Sequence, residues 1–292
     1  MSKGDEKLWA ILNDKLDMLR GTGQLPEAVR VAEMASELAE RAFGSRSAGY
    51  ALSLEKLGQL HDQAGDRNAA WKYLNQAHGI LAEAEPPDDR ALYRSARRLA
   101  LLSDHLGLTN EAIAFYEKAL AAGMQLPDLP YSELGTMLNN IALIYRKSGR
   151  QTAAEPYYLH ALELYEKQLG PEHPDVASVL NNLAVFYTNE RRFDEAEKTH
   201  LRALAIRTDA LPAHHSDIAQ SQCNLAVVYH SRGEYERAGE LYREALKTWD
   251  EAPDHPAGDY EIVASNYADL LRSLGKKREA RQVEARLRNR QR

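Results

Sequence analysis

The sequence has few of the features that mark secreted, membrane or cysteine-based metal proteins. Its 292 residues include one cysteine, Cys223, which excludes a disulfide framework and a cysteine-based zinc site and fits a reducing compartment. No run approaches the roughly 18 apolar residues of a membrane span. Residues 1–7 also lack the apolar segment of a signal peptide. We therefore expect a cytoplasmic protein that does not enter a membrane.

Motifs for catalysis, cofactors and metals are also missing. The formal net charge of −6 argues against a generic nucleic-acid binder. Gly21-Thr22-Gly23 lacks the Lys-Ser/Thr ending of a phosphate-binding loop. His214 and His215 are adjacent, but zinc needs three or four ligands and no metal-binding pattern supplies the rest. We expect no enzymatic activity, no cofactor and no metal. We interpret these histidines, and His173 and His255 in equivalent linkers between repeats, as turn residues.

A period of 42 residues runs through the whole chain. Glycines recur at this spacing just before a polar turn, and Arg191 fills the one missing place. We call these seven places the turn positions: Gly23, Gly65, Gly107, Gly149, Arg191, Gly233 and Gly275. An alanine follows each of them by five residues: Ala28, Ala70, Ala112, Ala154, Ala196, Ala238 and Ala280. Unrelated amphipathic helices would drift in phase, so the constant register predicts a repeat protein.

Each repeat has the pattern of two amphipathic helices. Before the fifth turn position, Leu180, Leu183, Ala184 and Tyr187 have the i, i+3, i+4, i+7 spacing of an apolar helix face, and the residues after Arg191 repeat it. We find no pattern of a strand. The fold class predicted is all-α, with about seven helix-turn-helix repeats in a single solenoid. The predicted repeats span residues 6–47, 48–89, 90–131, 132–173, 174–215, 216–257 and 258–292.

The pattern resembles the tetratricopeptide repeat (TPR), in the 42-residue form of the kinesin light chains. The segments that carry the resemblance are Leu180-Asn181-Asn182-Leu183-Ala184-Val185-Phe186-Tyr187 and the linker Leu169-Gly170-Pro171-Glu172-His173-Pro174-Asp175. Repeats one to three match mainly through their Gly and Ala positions. The resemblance implies a right-handed superhelix whose first helices line a concave groove, and a function in binding other proteins.

One polar position recurs in the first helices where packing does not require it. Nine residues before the turn position stand Asn140, Asn182, Asn224 and Asn266. Asparagine is a mediocre helix residue, so four of them need a cause. They either bridge neighbouring helices or bind a ligand, since a carboxamide can pair with the main chain of an extended peptide. In the resembled family, asparagines at this position contact bound peptide, which favours the second interpretation.

Further candidate residues suggest the character of the peptide. Arg98, Arg146 and Lys147 would give one part of the groove a positive charge, unless nearby carboxylates such as Asp62 and Asp104 neutralise them. The other part would be neutral. The remaining candidates there are Asn139, Asn181, Thr188, Gln220 and His230. We therefore predict a partner segment that carries acidic residues beside a bulky apolar one, as kinesin light chain ligands do.

The C-terminal segment supports an alternative function. From Lys276 to Arg292 it carries eight basic and two acidic residues, so it could bind nucleic acid or another anionic surface. A terminal repeat also needs a polar outer face, and cations suit the C-terminal end of a helix. We favour this second explanation, a terminal cap. The sequence does not define the partner or the oligomeric state.

Overall fold

The structure is a computed structural model that describes residues 3–251 and 257–290. Within these ranges the secondary structure is entirely helical and contains no strand. The helices are α1 Lys3–Gly21, α2 Leu25–Phe43, α3 Ala48–Gln63, α4 Arg67–Ala82, α5 Asp89–His105, α6 Thr109–Gly123, α7 Tyr131–Lys147, α8 Gln151–Leu169, α9 Pro174–Asn189, α10 Phe193–Ala210, α11 Ser216–Arg232, α12 Tyr235–Glu251, α13 Ala257–Ser273 and α14 Lys277–Arg290. Two helices therefore form each of the seven repeats, and the all-α prediction is confirmed.

The turn positions have the backbone conformation that their residue type predicts. All six glycines there have positive φ angles, for example 86° at Gly65 and 80° at Gly233. Glycine adopts this conformation without a Cβ clash. Arg191, the substitute in the fifth repeat, is held at a φ of 59° and is the one non-glycine residue with positive φ in the described ranges. The repeat geometry therefore overrides the preference of this residue.

The linkers between repeats start the next helix with side-chain caps. Ser47 and Asp88 accept hydrogen bonds from the backbone amides of Tyr50 and Ala91, at 3.1 and 2.9 Å. His173 and His215 do the same through Nδ1, each accepting from the amide two residues later at 3.1 Å. Such caps satisfy backbone donors that have no partner inside the helix. The interpretation of the linker histidines as turn residues is confirmed for these two, whereas His255 lies outside the described residues.

Small residues let the two helices of a repeat approach closely. The seven alanines that follow the turn positions are fully buried, at 0–1% exposure. Gly58, seven residues before its turn position, faces Leu74 of α4. A Cβ added at Gly58 would lie 2.7 Å from Leu74 Cγ, which is closer than real contacts allow. The repeated small residues therefore set the distance between paired helices.

The chain forms two compact units, residues 1–137 and 138–292. In the first unit, α1 packs on α2, α2 on α3, and so on to α6. In the second, the sequence of contacts runs from α8 to α14, and the first helices α9, α11 and α13 also lie side by side. Packing of each helix on its neighbours in the chain defines a solenoid.

Candidate functional site

The first unit contains a groove lined by first helices. It is a pocket of about 820 Å³, and every lining residue belongs to α1, α3 or α5. The second helices of these repeats contribute nothing to its surface. First helices therefore line the groove of this unit, as the TPR resemblance implies.

Basic side chains outnumber acidic ones in this groove. Its lining includes five Lys and Arg residues: Arg20, Lys56, Arg94, Arg97 and Arg98. It includes three carboxylates: Asp17, Glu55 and Asp62. Asp17 is paired with Lys56, at 3.0 Å between Oδ2 and Nζ. The predicted candidate Arg98 is exposed, and within the part of the chain that the structure describes it forms no ion pair, nor do Arg94 and Arg97.

The charges of two of these arginines affect the pKa of Glu55. Burial raises the pKa of its carboxyl group, and the charges of Arg94 and Arg98 oppose that rise. Arg94 and Arg98 are therefore close enough to Glu55 for electrostatic coupling, but they remain open to solvent. The positive charges of Arg94 and Arg98 would also attract an anionic group of a ligand that enters the groove.

In the second unit the predicted asparagines form hydrogen bonds between successive repeats. Asn182 Nδ2 donates to Asn139 Oδ1 at 3.1 Å, and Asn224 Nδ2 donates to Asn181 Oδ1 at 2.8 Å. Donor and acceptor are 43 residues apart in both pairs, so each bond joins a first helix to the first helix of the preceding repeat. We call this set of two bonds the asparagine ladder. Bridging between helices, which the sequence left open, is thus present for Asn182 and Asn224.

The ladder leaves part of each carboxamide for other partners. Asn182 and Asn224 are half-buried, and each ladder bond takes one of the two amide hydrogens. Asn140 and Asn266, in the same repeat position, are half-buried as well. Asn181 is 7% exposed, so the surface it offers to a ligand is small. By the same offset of 43 residues, the residue that would accept a hydrogen bond from Asn266 is Cys223. Because Cys223 has no amide oxygen, the ladder ends at Asn224.

The other predicted residues differ in whether their side chains contact other residues of the protein. Thr188 donates to the carbonyl of Ala184 at 2.8 Å, and Gln220 Oε1 accepts from Arg207 Nη1 at 3.3 Å. The ring of the half-buried His230 contacts Tyr235, at 5.8 Å between centroids. Lys147 is exposed.

Arg146 is the most buried of the predicted cations. Its side chain is half-buried, and its charge lowers the pKa of the Tyr158 hydroxyl, against the larger raising effect of burial. Its Nε is buried and has no hydrogen-bond partner within the described ranges. Arg146 is thus partly committed to the interior, unlike Arg98.

Two features of the site were not anticipated from the sequence. The first is the offset of 43 residues between ladder partners, one more than the repeat, which the two successive Asn-Asn pairs could have indicated. The second is Arg207, which is 4% exposed and donates from Nη1 to Ser221 Oγ and to the carbonyl of Asp217, both at 2.9 Å. It fixes the start of α11, and nothing in the sequence distinguishes it from exposed charged residues of the same helix such as Lys198 and Asp209.

The last repeat presents a polar surface. Arg272 forms ion pairs with Asp269, at 2.5 Å, and with Glu284 of α14. Arg281, Arg286 and Arg288 are exposed. In the described residues no group of His, Cys, Asp and Glu could hold a metal ion. No described helix has the length and apolarity needed to span a bilayer.

Comparison with known proteins identifies the class and then the family. Paired helices at a 42-residue spacing define the chain as an α-helical repeat protein. The family model described as tetratricopeptide repeat matches residues 11–83, 133–209, 175–251 and 217–292, and a second model of the same description matches residues 97–122. The chain belongs to the tetratricopeptide repeat family. A search of curated protein sequences gives no match.

Solved structures share the fold. BtubC (BKLC) from P. vanneervenii is 29% identical, with a TM-score of 0.61 over 80% of this chain and 94% of that one. YrrB, described as a TPR protein with an unusual peptide-binding site, is 20% identical, with a TM-score of 0.50 over 74% and 92%.

Proposed function

We propose that this protein is a non-enzymatic scaffold that binds an extended segment of another protein in the groove formed by its first helices. The observation that carries the proposal is the asparagine ladder, because it places half-buried carboxamides at one height on successive first helices. Membership of the TPR family supports binding of a protein partner. The single, buried Cys223 fits a reducing compartment, so we propose that binding takes place in the cytoplasm.

The ladder suits recognition of a main chain. After one amide hydrogen is used, Asn182 and Asn224 each keep a second donor and an acceptor oxygen. Neighbouring helices pack at about 9–10 Å, and an extended chain advances about 3.3 Å per residue. Each repeat could therefore pair with every third peptide group. In this arrangement Asn139 and Asn181 are positioning residues, because they hold the amides that face the ligand.

The charged groove of the first unit supports the predicted composition of the ligand. Arg94, Arg97 and Arg98 are exposed and lack described ion-pair partners, so acidic residues of a bound segment would find donors there. Among the predicted candidates of the second unit, Arg146 and Lys147 are cations, whereas Thr188 and Gln220 have neutral polar side chains. We propose that acidic residues and one bulky apolar residue select the partner, and that Asn140, Asn182, Asn224 and Asn266 bind its main chain.

A display screen with random 12-residue peptides tests this proposal. We expect purified protein to enrich peptides that contain acidic residues and one large apolar residue. Binding of an enriched peptide to Asn182→Ala/Asn224→Ala should weaken by at least tenfold, because two main-chain contacts of about 1 kcal/mol each are lost. Fluorescence anisotropy gives the dissociation constant. Asn68→Ala, an exposed asparagine on the second helix α4, is the matched control and should bind like the unaltered protein.

Two further variants separate contact from positioning. Asn139→Ala removes the acceptor of Asn182 and should weaken binding less than Asn182→Ala does, while circular dichroism shows an unchanged helix content. Full affinity of the double variant would contradict the role of the carboxamides. Enrichment of basic peptides would contradict the proposed charge preference but leave a protein-binding function in place.

A further inference from the structure

The first helices of the second unit repeat one pair of side chains. In three successive repeats, the asparagine that stands nine residues before the turn position is followed three residues later by an aliphatic residue. The pairs are Asn140 and Leu143, Asn182 and Val185, and Asn224 and Val227. Residues three apart lie on one face of a helix, so each aliphatic side chain is one turn away from its asparagine.

The aliphatic members of these pairs are only half-buried. Leu143 and Val227 touch the core with part of their surface, and the rest is open to solvent. Repeats three and seven lack one member of the pair each, because Arg98 precedes Leu101 and Asp269 follows Asn266. Repeats four to six therefore present an amide and an accessible aliphatic group together.

Successive steps along this surface are alike. Both ladder bonds join residues 43 positions apart, at 3.1 and 2.8 Å. Helix α11 also contacts both α9 and α13 directly, and helices in contact lie about 8–10 Å apart. Equivalent sites therefore follow one another at intervals of about 8–10 Å. A ligand that meets each site in the same way must itself repeat at this interval.

The regular conformations of a peptide differ in this respect. A β-strand turns successive side chains to opposite faces, so it repeats after two residues, or about 6.6–6.8 Å. An α-helix pairs its own main-chain groups and leaves none in its interior for the asparagines. A polyproline II helix has three residues per turn, rises about 3.1 Å per residue and forms no internal hydrogen bonds. It therefore repeats after about 9.3 Å with its main chain open.

We propose that the bound segment lies along repeats four to six as a polyproline II helix and turns an apolar side chain toward Leu143, Val185 and Val227 at every third residue. This inference rests on the proposed function, because it specifies the conformation and composition of the same ligand. The bulky apolar residue of the ligand is one member of the series. Proline fixes φ near −65°, so the partner is a proline-containing segment with apolar residues three apart.

Two synthetic 12-residue peptides of identical composition test the proposal. One consists of four copies of Glu-Pro-Val, which places a valine at every third residue. The other contains the same residues reordered so that the valines lie two apart. We expect the first peptide to bind about tenfold more tightly, because its valines can contact successive repeats together. Fluorescence anisotropy gives both dissociation constants.

Changes in the peptide and in the protein separate conformation from contact. Glycine in place of the prolines should weaken binding of the first peptide about tenfold, because a flexible chain loses more conformational entropy. Val185→Thr/Val227→Thr should remove the preference between the two peptides, because a hydroxyl group then faces the apolar side chain. Leu201→Thr, at a residue that is 45% exposed on the second helix α10, is the matched control and should keep the preference. Circular dichroism establishes that each variant is folded.

Three results would overturn the polyproline II conformation. They are equal binding of the two peptides, binding of neither by protein that binds its display-selected peptides, and a preference that persists in Val185→Thr/Val227→Thr. None of these results contradicts the proposed function. That function fails on its own test, if Asn182→Ala/Asn224→Ala binds display-selected peptides at full affinity, and this inference then fails with it.

Discussion

Arg191 shows how strongly the repeat constrains single residues. It has the φ of 59° that glycine has at the other six turn positions, and its guanidinium group lies 5.8 Å from the centre of the Phe193 ring. A left-handed conformation costs a residue with a Cβ about 1–2 kcal/mol. Part of the stability of the fifth repeat therefore offsets this cost.

We expect Arg191→Gly to raise the free energy of unfolding by about 0.5–1 kcal/mol, since the relief of strain exceeds the added entropy of the unfolded chain. Urea denaturation followed by circular dichroism measures the change. Arg191→Ala keeps the strained backbone and removes the ring contact, so it should give no gain. A gain of the same size in both variants would show that the side chain, and not the backbone, is responsible.

The turn positions and helix pairs were predictable because they depend on local sequence. Glycine at a fixed spacing, the buried alanines and the linker caps act within a few residues, and the structure confirms the resulting seven pairs of helices. The asparagine ladder was only partly predictable. The position of Asn182 was evident, but its bond to Asn139 depends on how far one repeat is displaced from the next. The exposure of Leu8, Ile11 and Met18 on α1, at 48%, 61% and 60%, was missed because these residues have the same spacing as buried residues of the later repeats.

Helix α10 differs from the other second helices in the group that it buries. His200 is fully buried where five of the other second helices place Ala, Leu or Tyr and α14 places Glu284. Within the described residues neither ring nitrogen of His200 has a hydrogen-bond partner. Burial, together with the charge of Arg207 on the same helix, lowers the pKa of His200 to about 3. The imidazole is therefore neutral in the folded protein across the physiological range.

The buried His200 should make the stability of the folded protein sensitive to acid. Below pH 6.5 the unfolded chain binds a proton at His200 that the folded chain does not bind until about pH 3, so the free energy of unfolding falls through this window. By pH 5.5 this histidine alone should cost about 1 kcal/mol. Thermal melts of His200→Leu at pH 7.5 and 5.5 should show a smaller loss than the unaltered protein.

The exposed His160→Leu is the control for that experiment and should keep the full loss. Some sensitivity will remain in His200→Leu, because burial also lowers the pKa of His78, to about 4. An equal loss of stability in His200→Leu and the unaltered protein would show that His200 does not determine the response to acid.

At the scale of the whole molecule, the candidate binding features of the two units differ in charge. The groove of the first unit combines five basic and three acidic side chains, whereas the ladder in the second unit consists of neutral amides. Ionic contacts weaken as salt rises, but hydrogen bonds between neutral groups change little. Binding in the groove of the first unit should therefore depend on ionic strength, whereas binding by the ladder amides of the second unit should change little.

A synthetic peptide with glutamates around one tryptophan, and its lysine analogue, provide the test. We expect Arg94→Glu/Arg97→Glu/Arg98→Glu to weaken binding of the acidic peptide by at least tenfold at 50 mM salt and much less at 500 mM. Anisotropy titrations at both salt concentrations give the ratio. The lysine analogue should bind the unaltered protein poorly. A loss in the triple variant that does not change with salt would point to a structural effect of the arginines.

The two ladder bonds have one direction: the later repeat always donates and the earlier one always accepts. Repeats five and six each depend on an oxygen supplied by the repeat before them, and Cys223 supplies none to repeat seven. Although the repeats share one length, they are therefore not interchangeable. Exchanging two of them would preserve every alanine and every turn yet break the succession of amides, so their order along the chain is itself part of what the sequence encodes.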